Sequence, residues 1–228
     1  SEHTRHDNII NYFRNIANES DRAILRFYGK THEGRRLAML VVSSPENLKN
    51  IDEIQKRHLK FIDPNINIDA NEKDVLIINL GYNVHGNEPS SSEAAMLSAY
   101  TLTASNNREV LNFLDNSIVF IDPTINPDGR DRHTQWVNSF KGSPLVKDPY
   151  DIEHNENWPR GRTNHYWFDL NRDWLLGINP ESQGKLKWYH QWYPNVVTDF
   201  HEMGSQSSYF FEPSKTNGSL DPITVSYT

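Results

Sequence analysis

The sequence predicts an α/β domain built on a mixed, largely parallel central sheet with helices on both faces, and three observations predict it. Runs such as "DVLIINLG" (74–81) and "SIVFID" (117–122) are continuously apolar, as strands buried on both faces are. Segments of helical period lie between them, and such alternation builds α/β layers. Cap and turn residues stand at the joints, at Ser44-Pro45, Ser90 and Asn126-Pro127.

In chain order, Ile9, Ile10, Phe13, Ile16 and Ala17 place a helix over 7–17. "AILRFYGKTHEGRRLAMLVVS" holds two apolar runs joined through Glu33-Gly34, the pattern of a β-hairpin. Ser44 as cap and Pro45 in the first turn open a second helix that runs past Ile54 towards His58. After the strand at 74–81, Ser90 and Glu93 have the spacing of a capping box, so the next helix starts directly after Glu88. A helix over 108–115 leads into the strand at 117–122, after which "NPDG" reads as a turn. A helix over 180–193 and a strand over 195–201 follow. Residues 141–179 are rich in Pro, Gly, Asn and aromatic residues without a steady period. A loop this long is functional or disordered, and the six tryptophans in or beside it argue for order. No repeat or linker divides the chain, so one domain over 1–228 is expected.

The net charge is −7 with both signs interspersed, which leaves no basic footprint for nucleic acid and no polybasic arm for a membrane. No run approaches the ~18 apolar residues of a membrane span, and "SEHTRHDNII" lacks the apolar core of a secretory signal. The expected partners are small or peptidic. With no cysteine, a zinc site would have to draw on His, Asp and Glu.

His85 and Glu88 fall between a strand end and a helix start, where ligands of open α/β sheets bind. Two readings stand at this point: His85 closes a turn while Glu88 favours the positive end of the helix, or the pair holds a metal. His201, at the carboxyl end of the strand "NVVTDFH", supplies a third ligand for the second reading. Two histidines and a glutamate are an established catalytic zinc set that leaves a fourth position for water. The helical zinc-protease motif is absent, because Ser205 stands four positions after His201. His3, His6, His32, His58 and His133 lack such a context and are read as surface or packing residues.

"HGNE", "NPDG", "GRTN" leading into "DLNR", and finally "DFH" together resemble the zinc carboxypeptidase family of the carboxypeptidase A and E type, in that family's order and over essentially the whole chain. The resemblance implies one Zn2+ bound by His85, Glu88 and His201. It places Asp169 behind His85 as acceptor of the other ring proton, and Arg162 as stabiliser of the oxyanion formed at the scissile carbonyl. Asn171 and Arg172 would hold the free C-terminal carboxylate of a peptide; Arg160 ranks behind Arg162, being outside "GRTN". The implied activity is that of a metallocarboxypeptidase, an exopeptidase, since an internal peptide bond offers the clamp no carboxylate.

The chain departs from the family pattern downstream. The family's general base is a glutamate on a late strand, and only 27 residues follow His201. Glu202 adjoins a ligand on a strand and should face the other way; Glu212 belongs to a separate strand in "YFFEPS"; neither these nor Asp221 is assigned as base. The expectation is a catalytic domain lacking its C-terminal part, with an incomplete sheet and weak or no activity alone, since a missing general base costs about 10² to 10⁴ in rate. Asn87 stands where pancreatic-type members carry an arginine.

Two alternatives remain. The related N-acyl amino acid deacylases, of the aspartoacylase and succinylglutamate desuccinylase type, share "HGNE" and a "DLNR" element but join them by a much shorter segment than the 44 positions from Asn126 to Leu170. The other is a non-catalytic zinc- or peptide-binding module. No glycine-rich phosphate loop follows a predicted strand, which weighs against a nucleotide protein. The address is left open, a secreted or periplasmic one included.

Overall fold

Among the described residues, four of five strands run the same way. The computed structural model describes residues 3–67, 69 and 74–203. Its strands are β1 (Ala23–Lys30), β2 (Arg36–Val42), β3 (Leu76–Tyr82), β4 (Ser117–Asp122) and β5 (Val196–Phe200), and its α-helices are α1 (His6–Glu19), α2 (Pro45–Lys49), α3 (Ile51–Phe61), α4 (Pro89–Ala104), α5 (Arg108–Asp115), α6 (Pro127–Phe140) and α7 (Pro180–Trp192). The sheet order is β1-β2-β4-β3-β5. β3 pairs in parallel with β4 and β5, whereas β2 runs antiparallel to both β1 and β4. The mixed, largely parallel sheet expected from the sequence is therefore present.

Alternation along the strands sorts the core into two layers. Val119 and Ile121 of β4 pack with Leu40, Val42, Phe13, Ala95, Ala99 and Leu114 on the face covered by α1, α4 and α5. Ile118 and Phe120 pack with Met39, Val41, Ile77, Leu48, Ile54, Trp188 and Trp192 on the face covered by α2, α3 and α7. Every residue of β4 is buried, which is why its sequence is a continuous apolar run. No helix among the described residues is long and apolar enough to cross a membrane.

Three local expectations are corrected. The helix opened by Ser44, whose hydroxyl accepts from Asn47 N at 3.4 Å, breaks at Asn50, which ends α2 and begins α3. Its side-chain amide donates to Glu46 O at 3.0 Å, the competition with the helical backbone that makes Asn a boundary residue. The Ser90–Glu93 capping box does not form. Pro89 is already in the helix, which puts Ser90 inside the first turn, and the Glu93 carboxylate instead accepts from Thr4 N, Thr4 Oγ1 and Arg130 Nη2 at 2.8–2.9 Å. Finally, "NPDG" is the start of α6 rather than a free turn. Asn126 caps it by accepting from Gly129 N at 2.9 Å, with Pro127 in the first turn.

α6 lacks an apolar stripe because its buried face makes polar bonds. Asp128 accepts from Thr31 Oγ1 and Arg35 Nη1 at 2.7 and 2.8 Å. Asp131 accepts from His6 N and Arg35 Nε at 2.9 and 2.8 Å. Arg130, wholly buried, donates to Thr4 O, Pro89 O and Glu93. A charge this deep is tolerated because every arm of the guanidinium is matched.

Residues 141–179 contain only one short 3-10 turn, Leu170–Arg172, yet they are held by specific bonds. Glu153 accepts from Gly142 N and Val146 N, both at 3.0 Å, and buried Asp173 accepts from Ile178 N and Asn179 N at 3.0 and 2.8 Å.

The loop is pinned to the sheet by three glycines. A methyl on Gly86 would strike Arg130 N and Gly129 C and lie 2.5 Å from Gly161 O, while one on Gly161 would lie 2.5 Å from Gly129 O. The "HGNE", "NPDG" and "GRTN" segments thus touch through bare backbone. Gly86→Ala is expected to destabilise the fold by about 1–3 kcal/mol, since backbone neighbours cannot rotate away. Urea unfolding checks it, a midpoint unchanged from wild type counting against the junction.

Candidate metal centre

The centre begins where β3 ends. Asn83 takes a left-handed conformation, φ 59°, which asparagine tolerates better than most residues. Its buried amide donates to His85 O and Glu88 O, both at 2.8 Å, and Glu88 N donates to His85 O at 3.1 Å. This locked turn throws the side chains of His85 and Glu88 to the same side. β5 runs parallel beside β3, with Tyr82 opposite Phe200, so His201 arrives one residue past a strand end at the same level.

The Glu88 carboxylate sits between the two imidazoles. Oε1 is 2.7 Å from His85 Nδ1 and Oε2 is 3.1 Å from His201 Nδ1; the ring centroids are 4.9 Å apart at 46°. These three residues are the group of metal-ligating side chains found among the described residues, with ligand atoms within 4.8 Å of one another. Burial alone would raise the Glu88 carboxyl, but its contact with His85, the bond from Glu202 N and the nearness of His201 hold it below the ordinary value.

The donor set fits a zinc ion. His85 Nε2 lies 3.0 Å from Asp169 Oδ1 and Nδ1 2.7 Å from Glu88 Oε1; with a single ring proton held on Nε2 by Asp169, the Nδ1 lone pair faces Glu88. A lone pair and a carboxylate oxygen at 2.7 Å repel unless a proton or cation lies between them. A cation bound by both Nδ1 atoms and Glu88 removes that conflict for both rings, and two nitrogens with one oxygen suit Zn2+.

Asp169 is anchored in turn. It accepts from Arg162 Nε and Nη2 at 3.2 and 3.0 Å and from Asn171 N at 3.0 Å. Burial pushes its carboxyl up, while His85 and Arg162 outweigh that and hold it low. Arg162 Nη1 makes no hydrogen bond among the described residues and lies 4.0 Å from Glu88 Oε1, with its side chain about half exposed. Asn171 Nδ2 is 3.4 Å from His201 Nε2. Arg172 is exposed; its backbone N donates to Asp169 O at 2.8 Å and its Nη1 to Asn171 O at 2.9 Å, and no acidic partner for its side chain is found among the described residues. Six of the seven residues singled out from the sequence are thus in mutual contact, and Arg172 joins them through Asn171.

Other expectations sort similarly. The Glu202 carboxylate accepts from Ser90 N at the start of α4, so it is spent on the helix end, while its backbone N–H donates to Glu88 Oε2 at 3.0 Å. Glu212 and Asp221 lie outside the described residues. Asn87 donates to Glu156 Oε2 at 3.0 Å, tying the ligand loop to the long loop. His6 and His58 are buried packing residues with bonds to Arg36 O and Asp74. A cavity of about 600 Å3 opens beside the centre, lined by Asn87, His133, Glu156, Arg160 and Glu202 among others. The sequence reading missed Asn83, whose signal is an asparagine directly after a strand, and Asp199, which lies 3.1 Å from His201 Nε2 and whose signal is an i, i+2 spacing on one strand face.

Comparison with known proteins bears on the fold. The chain superposes on a metallo-carboxypeptidase from Burkholderia cenocepacia with TM-score 0.57 and 17% identity, over 89% of this chain and 41% of that one. For the carboxypeptidase A of Helicoverpa armigera the values are 0.53 and 17%, over 89% and 46%. For bovine thrombin-activatable fibrinolysis inhibitor, solved in complex with tick carboxypeptidase inhibitor, they are 0.52 and 13%, over 89% and 61%. The chain therefore spans less than two thirds of each of these structures. No curated protein matches it by sequence. The sequence profile of zinc carboxypeptidases matches residues 9–225, and the chain belongs to the zinc carboxypeptidase family.

Proposed function

We propose that His85, Glu88 and His201 hold one zinc ion in an exopeptidase site that removes the C-terminal residue of peptides. The observation that carries this reading is the convergence of both Nδ1 atoms on one carboxylate, with two arginines and an asparagine alongside. Zinc, when bound, polarises the scissile carbonyl and makes water nucleophilic near neutral pH.

The chain's own residues do the rest. Asp169 keeps the His85 proton on Nε2, and by pairing with Arg162 it fixes the guanidinium beside Glu88. The free Nη1 of Arg162 is then aimed at the charge that develops on the carbonyl oxygen, an interaction worth most in the transition state. Arg172, without an acidic partner among the described residues, and the amide of Asn171 offer a cationic fork to the substrate's terminal carboxylate. The adjoining cavity has room for residues preceding the cleaved bond. None of Glu202, Glu212 and Asp221 is assigned as general base.

One equivalent of zinc is expected by metal analysis after dialysis. His85→Ala and His201→Ala should each lose it, while retention by both variants would remove the proposed ligand set. A blocked dipeptide with a free carboxylate is expected to bind about 10-fold or more tighter than its amide, the worth of a charge-assisted bond, by calorimetry. Arg172→Ala should erase that preference; an amide bound equally well by wild type would point away from a carboxypeptidase clamp. Arg162→Ala should lower kcat about 10² to 10³-fold, with circular dichroism confirming the fold.

A further inference from the structure

Behind His85 stands Asp169; behind His201 stands Asp199. Each imidazole turns Nδ1 to Glu88 and Nε2 to an aspartate, at 3.0 Å for His85 and 3.1 Å for His201. Asp199 and His201 are two apart along β5 and its end, so their side chains leave the same face.

The sheet also shows what charge lies near Asp199. In the parallel register, Gly81 of β3 pairs with Asp122 on β4 and with Asp199 on β5, placing two carboxylates on either side of a residue without a side chain. Lys185 of α7 occupies the space so left, its Nζ 2.9 Å from where a Gly81 Cβ would be. This lysine is 3% exposed, and its ammonium makes no hydrogen bond among the described residues. Burial works against its charge, and Asp122 and Asp199 are the two groups that favour it. Asp122 is further engaged by Tyr28 Oη at 2.7 Å. Among the described residues Asp199 has no hydroxyl partner of this kind, and its Oδ2 faces His201 while Lys185 balances its charge from within.

We infer that Asp199 is a positioning residue for the metal centre. Its carboxylate accepts the Nε2 proton of His201, sets the tautomer that frees Nδ1 for the metal, and is steadied by the ammonium of Lys185. This rests on the reading of His85, Glu88 and His201 as one ligand set. Asn171 is the competing neighbour of the same nitrogen, but its contact is longer, 3.4 Å, and places an amide donor there. A carboxylate behind a ligating histidine fixes ring orientation and raises its basicity.

The test uses Asp199→Ala, Asp199→Asn and Asn171→Ala in the 228-residue chain, with zinc affinity from chelator competition and the 15N resonances of His201 in metal-free protein. Asp199→Ala is expected to weaken zinc binding about 10- to 100-fold and to shift His201 from the Nε2–H form to a mixture of tautomers. Asp199→Asn, which keeps the shape and a weaker acceptor, should fall between and serves where the alanine variant does not fold. Affinity within about twofold of wild type together with an unchanged tautomer, or a loss seen in Asn171→Ala and not in the Asp199 variants, overturns the assignment, since a true second partner costs at least about tenfold. A wild-type chain that binds no zinc would fail the metal centre instead, and the tautomer measurement would still judge Asp199 because it needs no metal.

Discussion

Beside the candidate metal centre, two loops and the first turn of α6, from distant parts of the chain, lie backbone against backbone, and the site depends on that contact. Gly86, Gly129 and Gly161 meet so closely that a single methyl group on any of them would overlap a neighbour's main chain. Metal ligands must be placed to within about 0.2 Å, a tolerance smaller than the thickness of one methyl. The glycine junction therefore sets the height of the His85–Glu88 turn above the long loop that carries Arg162 and Asp169. It also explains why each of these motifs contains a glycine beside its chemical residues.

Charge is arranged around this junction in two zones. Below it, wholly buried Arg130 is matched by Glu93 and two carbonyls, and Arg35 by Asp128 and Asp131; these bonds tie α1, the β1–β2 hairpin, α4 and α6 into one frame. Above it, Glu88, Asp169 and Asp199 surround two imidazoles. The upper zone has more acceptors than donors and suits a divalent cation. The arginines that border it, Arg162 and Arg172, bring the opposite sign to where a peptide carboxylate and a developing oxyanion would lie. Positive and negative functions are thus separated by a few ångströms, each held by its own anchors.

Strands were the most readable elements. "SIVFID" is β4 residue for residue because a strand covered on both faces has no polar side to confuse the pattern. α6 escaped notice for the opposite reason: its buried side chains, Asp128, Arg130, Asp131, His133 and Thr134, are polar, so hydrophobic period carries no trace of the helix. Asn126 looked like a turn residue because turns and N-caps use the same side-chain bond. The Ser90–Glu93 spacing was misleading, since Glu93 is drawn to Arg130, a partner 37 positions away.

The candidate metal ligands could be named from residue type, order and place at strand ends, all of which are written in one dimension. Which ring nitrogen faces the ligand position, the pairing of Arg162 with Asp169, the carboxylate behind His201 and the lysine that fills the gap over Gly81 became visible only with the chain folded. The physical reason is that which side chains face one another is set by loop conformation, sheet register and helix docking. Local spacing records none of these, and the approach of Lys185 on α7 to Gly81 on β3 leaves no periodic mark in either segment.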